Sequence, residues 1–181
     1  YKKYMDKLLS DGTAYYCFDT PDELKAMRDA AEKAKKSLIY RAPETLPTED
    51  DAAKARSEGR PVTVRFAMPD KDMVITDVVR DEVTFKHVEL SDFIIQKSDG
   101  FPTYHFACVV DDELMEVTHI IRGQEHLMNT PWHVALQEAL GFRTPIYAHM
   151  SVTMSETGGK LSKRERPKAL KKIIKATQDL D

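Results

Sequence analysis

The residues best equipped for chemistry form the run Gly158-Gly159-Lys160-Leu161-Ser162-Lys163-Arg164-Glu165-Arg166. Two glycines let the backbone approach whatever it covers, Lys160, Lys163 and Arg164 place three cations within five residues, and Ser162 adds a hydroxyl. That composition suits a polyphosphate. It is not a Walker A loop, because the glycine required five residues before the Gly-Lys pair is replaced by Met154. A solvated basic turn has the same make-up, so the surrounding elements must decide between the two.

A second group begins at Arg122, which follows the strand expected over 117–121 and precedes Gly123-Gln124-Glu125-His126. A guanidinium leaving the carboxyl end of a strand can grip a carboxylate or phosphate with two parallel N–H donors, or close an ion pair with Asp111 or Asp112. Glu125 and His126 are placed to receive a ribose or an adenine, or to cap a helix. Tyr104 and His105 line the same cleft or pack its rim. The six histidines are scattered singly with no H-E-x-x-H spacing, and no side-chain metal cage is expected. Cys17 and Cys108 share no C-x-x-C and imply neither a zinc site nor a disulfide framework. Neither a G-x-S-x-G elbow, nor a G-x-G-x-x-G turn, nor a catalytic carboxylate pair is present.

The elements that must position these residues follow from periodicity. Residues 1–9 have helical spacing and are stopped by Ser10-Asp11-Gly12; 14–18 read as a short aromatic strand. Thr20-Pro21-Asp22-Glu23 supplies an N-cap, a proline at N1 and a capping-box glutamate, so a helix is expected with Leu24, Met27, Ala31 and Ala34 on its buried face. Another short helix opens at Pro47-Thr48-Glu49-Asp50-Asp51 and ends at Gly59. From Pro61 the period becomes two, and the runs 62–68, 73–79, 83–88 and 93–97 predict a small, mostly antiparallel β-unit inserted into something larger. Residues 104–115 suit a helix, 117–121 a buried strand, Asn129-Thr130-Pro131 the cap of a helix running to Leu140 and closed by Gly141, and 146–152 a second strand. Strand, helix and strand in this order predict a βαβ unit of a parallel sheet, with ligands at the carboxyl ends of its strands. The basic run follows one such end.

At 181 residues, 41% hydrophobic and 31% charged, the chain can bury one good core or two small ones. It contains no apolar run long enough to span a membrane. It starts at Tyr1 with no signal peptide, which reads as a fragment, and its cysteine usage makes a cytoplasmic compartment the expectation. The net charge of −3 hides an asymmetry: residues 160–175 hold eight Lys/Arg against Glu165 alone, +7 in all, which leaves −10 for the rest. The split suits an anionic partner docking at one end, or a solvated basic helix. Residue chemistry by itself leads to an α/β nucleotide-binding half-domain with an antiparallel insertion.

Phe101-Pro102-Thr103-Tyr104-His105-Phe106-Ala107, then Val109-Val110-Asp111-Asp112, Leu114-Met115, Val117-Thr118-His119-Ile120-Ile121-Arg122-Gly123-Gln124-Glu125-His126-Leu127, Asn129-Thr130-Pro131 and Gly159-Lys160-Leu161-Ser162-Lys163-Arg164 together resemble bacterial-type glutamyl-tRNA synthetase. The last segment is similar to the Lys-Met-Ser-Lys-Ser signature of class I aminoacyl-tRNA synthetases. The resemblance implies an α/β fold, the second half of a Rossmann-type parallel sheet with an α+β insertion that binds the tRNA acceptor end. It implies ATP-dependent activation of glutamate to glutamyl-adenylate, then transfer to the 3′ end of tRNA(Glu), with Mg2+ accompanying ATP, by a monomer. Arg122 would take a carboxylate of glutamate and Tyr104 would line the amino-acid pocket. Glu125 and His126 would lie beside ATP, with Lys160, Ser162, Lys163 and Arg164 around its phosphates and Lys160 and Lys163 catalytic. By the same resemblance, residues 1–18 end the first catalytic half, 19–97 form the acceptor-binding insertion, 98–166 the second catalytic half, and 167–181 begin a helical tRNA-facing region.

Two departures stand out. The family's first signature, His-x-Gly-His, is absent, so this stretch alone is expected not to form adenylate. Some relatives hold zinc near the start of the insertion through cysteines; only Cys17 is retained here, and zinc is not expected. A non-catalytic RNA-binding module and a paralogue that glutamylates a modified tRNA base are the competing readings.

Overall fold

Alternation and capping account for most of the elements in the computed structural model, which describes residues 1–151. Helix α1 (Lys2–Ser10) buries Met5 and Leu8, one turn apart, and Gly12 turns the chain into β1 (Ala14–Cys17). Helix α2 (Pro21–Lys33) carries the expected capping box, the Thr20 side chain accepting from Glu23 N–H and the Glu23 carboxylate from Thr20 N–H. Its apolar face differs from expectation. No α2 residue is buried: Leu24 and Ala31 are half-covered, while Met27 and Ala34 are exposed, because among the described residues no element packs closely over that side.

Helix α3 (Glu49–Ser57) opens on a second reciprocal cap between Thr48 and Asp51 and buries only Ala52 and Ala55. With so little packing, the cap carries much of its stability. Thr48→Ala is expected to lower stability by about 1 kcal/mol. An unchanged denaturation midpoint would show that tertiary contacts, not the cap, hold α3.

The period-two runs become β2 (Thr63–Phe66), β3 (Met73–Asp77), β4 (Asp81–Phe85) and β5 (Phe93–Gln96), but they do not form one unit. They divide between two sheets. One is antiparallel with order β1-β2-β5. The other runs β4-β3-β7-β6, where β6 is His119–Gly123 and β7 is Ile146–Met150. The β3–β4 pair is an antiparallel hairpin, while β3 is parallel to β7 and β7 parallel to β6. Strict alternation in β3 turns Met73, Ile75 and Asp77 inward and Val74 and Thr76 outward. Those inward residues give the hairpin a place in the larger sheet.

Helix α4 (Tyr104–Leu114) and helix α5 (Thr130–Leu140) pack together and against the sheets. One apolar cluster joins the parts: Leu8 of α1, Phe66, Ile75, Ile95, Phe106 and Val110 of α4, Leu136 and Tyr147 all lie in it. Helix α5 ends as expected on Gly141, whose φ of +73° a side chain would resist. Its start differs, since Asn129 is itself helical and makes no side-chain cap; a 3-10 turn over Gln124–Asn129 runs straight into the helix. Strand β6 also differs. It was expected to be buried, yet it lies at the sheet edge with Ile121 70% exposed, because among the described residues nothing covers that face. No helix among them is long and apolar enough to cross a membrane.

Candidate functional site

Three parallel strands end side by side, and their last inward residues touch. In the order β3, β7, β6 these are Asp77, His149 and Arg122, with His149 directly opposite Arg122 in the register. Asp77 and His149 are 2% and 0% exposed, whereas Arg122 is half-buried. His149 Nδ1 meets Asp77 Oδ2 at 2.5 Å, and Arg122 Nε donates to His149 Nε2 at 3.0 Å. Arg122 Nη2 donates to Thr130 Oγ1 at 2.9 Å and to the His126 carbonyl at 3.2 Å. The Tyr147 ring lies 5.5 Å from the guanidinium carbon.

Burial alone would push the Asp77 carboxyl up. Hydrogen bonds from the His149 side chain and from the backbone N–H groups of Val79, His149 and Arg80 outweigh it and hold the group at about 2, below the usual 3.8. The second alternative for Arg122 is not realised: it forms no ion pair with Asp111 or Asp112. Asp111 instead accepts from the Tyr1 hydroxyl at 2.6 Å. Asp112 is raised by burial, against the lowering influence of Arg122.

Around this cation stand groups that remain neutral. Tyr104, the first residue of α4, is 54% exposed, and burial of its hydroxyl followed by the neighbouring Cys108 raises it further. His105 and His133 are joined Nδ1 to Nε2 at 3.0 Å. His133 is 1% exposed, and burial, then the charge of Arg122, pulls it down to about 3; His105 is lowered by the same two causes. Trp132 packs on His105 and Phe93 at ring-centre distances of 5.0 and 5.6 Å. A fixed guanidinium bordered by a phenol and neutral imidazoles is built to recognise an anion. It offers neither an activated nucleophile nor a poised base.

Of the residues singled out from sequence, Arg122, Tyr104 and His105 fall in this neighbourhood. His126 contributes its carbonyl to Arg122, and its ring Nδ1 lies 3.4 Å from Asn129 Nδ2. Glu125 is exposed on the same 3-10 turn and is not a free carboxylate. Lys160, Ser162, Lys163 and Arg164 lie outside the described residues, as do Val152 and the basic segment. At the other end of the chain, the Cys17 thiol donates to Asp19 at 3.1 Å and lies 3.3 Å from the Tyr40 hydroxyl.

Asp77, Thr130 and His149 were not singled out from sequence. The signal was available: alternation in β3 and β7 puts an acid and an imidazole at inward positions, where a polar group needs a partner. What sequence could not supply was that β3 pairs with β7, bringing Asp77 to His149, 72 residues further along the chain.

All 181 residues match the family model for tRNA synthetases class I (E and Q), catalytic domain. The chain is 44% identical over 167 residues to the glutamate–tRNA ligase of Elusimicrobium minutum, covering 91% of this chain and 34% of that protein. With the glutamate–tRNA ligase of Heliobacterium modesticaldum it shares 45% identity over 166 residues, covering 91% and 33%. The chain thus spans about a third of the length of these relatives. Among solved structures it is similar to the glutamate-tRNA synthetase of Elizabethkingia anophelis, with a TM-score of 0.79 and 37% identity, covering 92% of this chain and 36% of that one. A glutamate tRNA ligase from Elizabethkingia meningosepticum, solved in complex with its amino acid, gives a TM-score of 0.80 at 37% identity, covering 92% and 35%.

Proposed function

Because the chain belongs to the class I tRNA synthetases (E and Q), catalytic domain, we propose that it is part of a glutamate–tRNA ligase. In this reading the whole protein activates glutamate with ATP and passes the glutamyl group to the 3′ end of tRNA(Glu). Arg122 carries the proposal. Its Nε and Nη2 are committed to His149, Thr130 and the His126 carbonyl, while Nη1 has no hydrogen-bond partner among the described residues. An immobilised cation with Nη1 unpaired suits a carboxylate of glutamate, and Tyr104, close enough to feel the Arg122 charge, would line the amino-acid pocket.

Glu125 and His126 would lie beside ATP, and Lys160, Ser162, Lys163 and Arg164 around its phosphates. There, Lys160 and Lys163 would stabilise the charge that shifts as pyrophosphate departs. Mg2+ arrives on the ATP phosphates in this reading; among the described residues no three His, Cys, Asp or Glu side chains stand together as a cage. Residues 19–97 are assigned to the acceptor end of tRNA, with their β3–β4 hairpin built onto the edge of the catalytic sheet at β7. Residues 1–18 and 98–166 belong to the two catalytic halves, and 167–181 to the following tRNA-facing region. The protein is read as a cytoplasmic monomer.

The experiment is aminoacylation by the full-length protein with labelled glutamate. Label at the 3′-terminal adenosine of tRNA(Glu) is the expected result. Label on an internal modified base would identify the paralogue instead, and tRNA binding without any transfer would identify an RNA-binding module.

A further inference from the structure

Glutamate binding by Arg122 does not in itself require Asp77 or His149, yet these buried polar groups are joined to Arg122 in one chain across the sheet. We propose that Asp77 and His149 are positioning residues for amino-acid recognition: they fix the Arg122 guanidinium so that its free edge is presented to the substrate carboxylate. The proposal rests on the glutamate-binding reading of Arg122.

The chain is directional. The Asp77 carboxylate has only acceptor capacity, so the proton in its contact with His149 sits on Nδ1. That assigns the tautomer and leaves Nε2 with a lone pair, which receives the Arg122 Nε–H. Asp77 is itself immobilised, since it also accepts from the backbone N–H groups of Val79 and Arg80 at 2.9 Å each and of His149 at 3.1 Å. The His149 ring is stacked on Tyr147 at an interplanar angle of 10°. Neither can turn without losing several contacts.

Arg122 is the only part of the chain with freedom to lose. A guanidinium on a flexible stem populates several rotamers, and holding one costs entropy that would otherwise be spent when substrate binds. The His149 and Thr130 contacts select one orientation beforehand, using Nε and Nη2 and sparing Nη1. Arg80, in the turn between β3 and β4, closes the arrangement from outside. It donates to the His149 carbonyl at 3.1 Å and to Ser151 Oγ at 3.1 Å, and also bonds Gln124 Oε1 at the start of the 3-10 turn after β6. A purely structural Asp–His pair would end on the core; this one ends on a half-exposed cation with unused donors.

The test measures steady-state kinetics of the full-length protein in glutamate activation, with melting temperatures recorded in parallel. His149→Phe preserves the ring and its stack but removes both nitrogens. It is expected to raise KM for glutamate roughly ten- to a hundredfold while KM for ATP stays within about twofold. His149→Gln keeps an acceptor near the Nε2 position and is expected to recover part of that loss. Asp77→Asn, nearly isosteric, supplies the same measurement should the phenylalanine variant not fold, with a smaller rise in glutamate KM expected. Variants that melt earlier but bind glutamate normally would overturn the proposal, as would equal rises in KM for glutamate and ATP. A wild-type protein unable to activate glutamate would instead overturn the reading of Arg122, and the proposal with it.

Discussion

Arg122→Ala in the full-length protein is expected to reduce glutamate activation by roughly two to three orders of magnitude. Truncating one partner of a charge-assisted, partly desolvated pair costs about 2–5 kcal/mol, because the remaining carboxylate is left without its counter-charge. Each 1.4 kcal/mol is about tenfold. The loss should appear in kcat/KM for glutamate, with the melting temperature little changed. Arg122 is half-buried, and after truncation His149 Nε2 still has the Thr130 hydroxyl 3.2 Å away. Arg122→Lys keeps the charge but neither the planar fork nor an Nε–H for His149, so activity between wild type and alanine is expected. Wild-type kinetics in Arg122→Ala would remove the guanidinium from the substrate site.

The second large effect concerns acid. The folded protein holds His133 neutral down to about 3, whereas an unfolded chain protonates this imidazole near 6.5. Below 6.5 the unfolded state therefore binds a proton that the folded state refuses, and stability falls as pH falls. The linkage amounts to roughly 2 kcal/mol by pH 5 and grows towards pH 3. His105 is lowered too and acts in the same direction. Asp77 adds a later stage: held at about 2 against 3.8, it contributes stability present above 3.8 and lost as pH falls towards 2. Denaturant midpoints recorded from pH 8 to pH 3 should start declining near 6.5 and steepen below 4. In His133→Gln the decline between pH 6.5 and 5 should shrink. A flat wild-type profile down to pH 4.5 would mean that His133 is not neutral and dry as the structure has it.

Local chemistry makes much of the fold legible in the sequence. The capping box at Thr20, the helix opening at Thr48, the αL close at Gly141 and the α5–β7 succession all stand where sequence puts them, because each rests on interactions within a few residues. The family was legible too, through motifs whose order no other reading explained. Non-local pairing was not. Alternation located β2 to β5 but could not divide them between two sheets, since period two says which residues share a face and not which strand lies alongside. The same limit hid half of the site. Arg122 could be singled out alone as a strand-end cation, whereas Asp77 and His149 acquire meaning only when β3 and β7 lie side by side. The amphipathic reading of α2 failed for the complementary reason, since an apolar stripe is buried only if something packs on it.

The most direct test is amino-acid-dependent ATP–pyrophosphate exchange by the full-length protein, with tRNA(Glu) present. Glutamate, aspartate and glutamine are compared for wild type and for Arg122→Ala. The result predicted is exchange driven by glutamate in the wild type and nearly abolished in the variant. Exchange driven equally by aspartate or glutamine, or glutamate-driven exchange that survives loss of the Arg122 guanidinium, would contradict it.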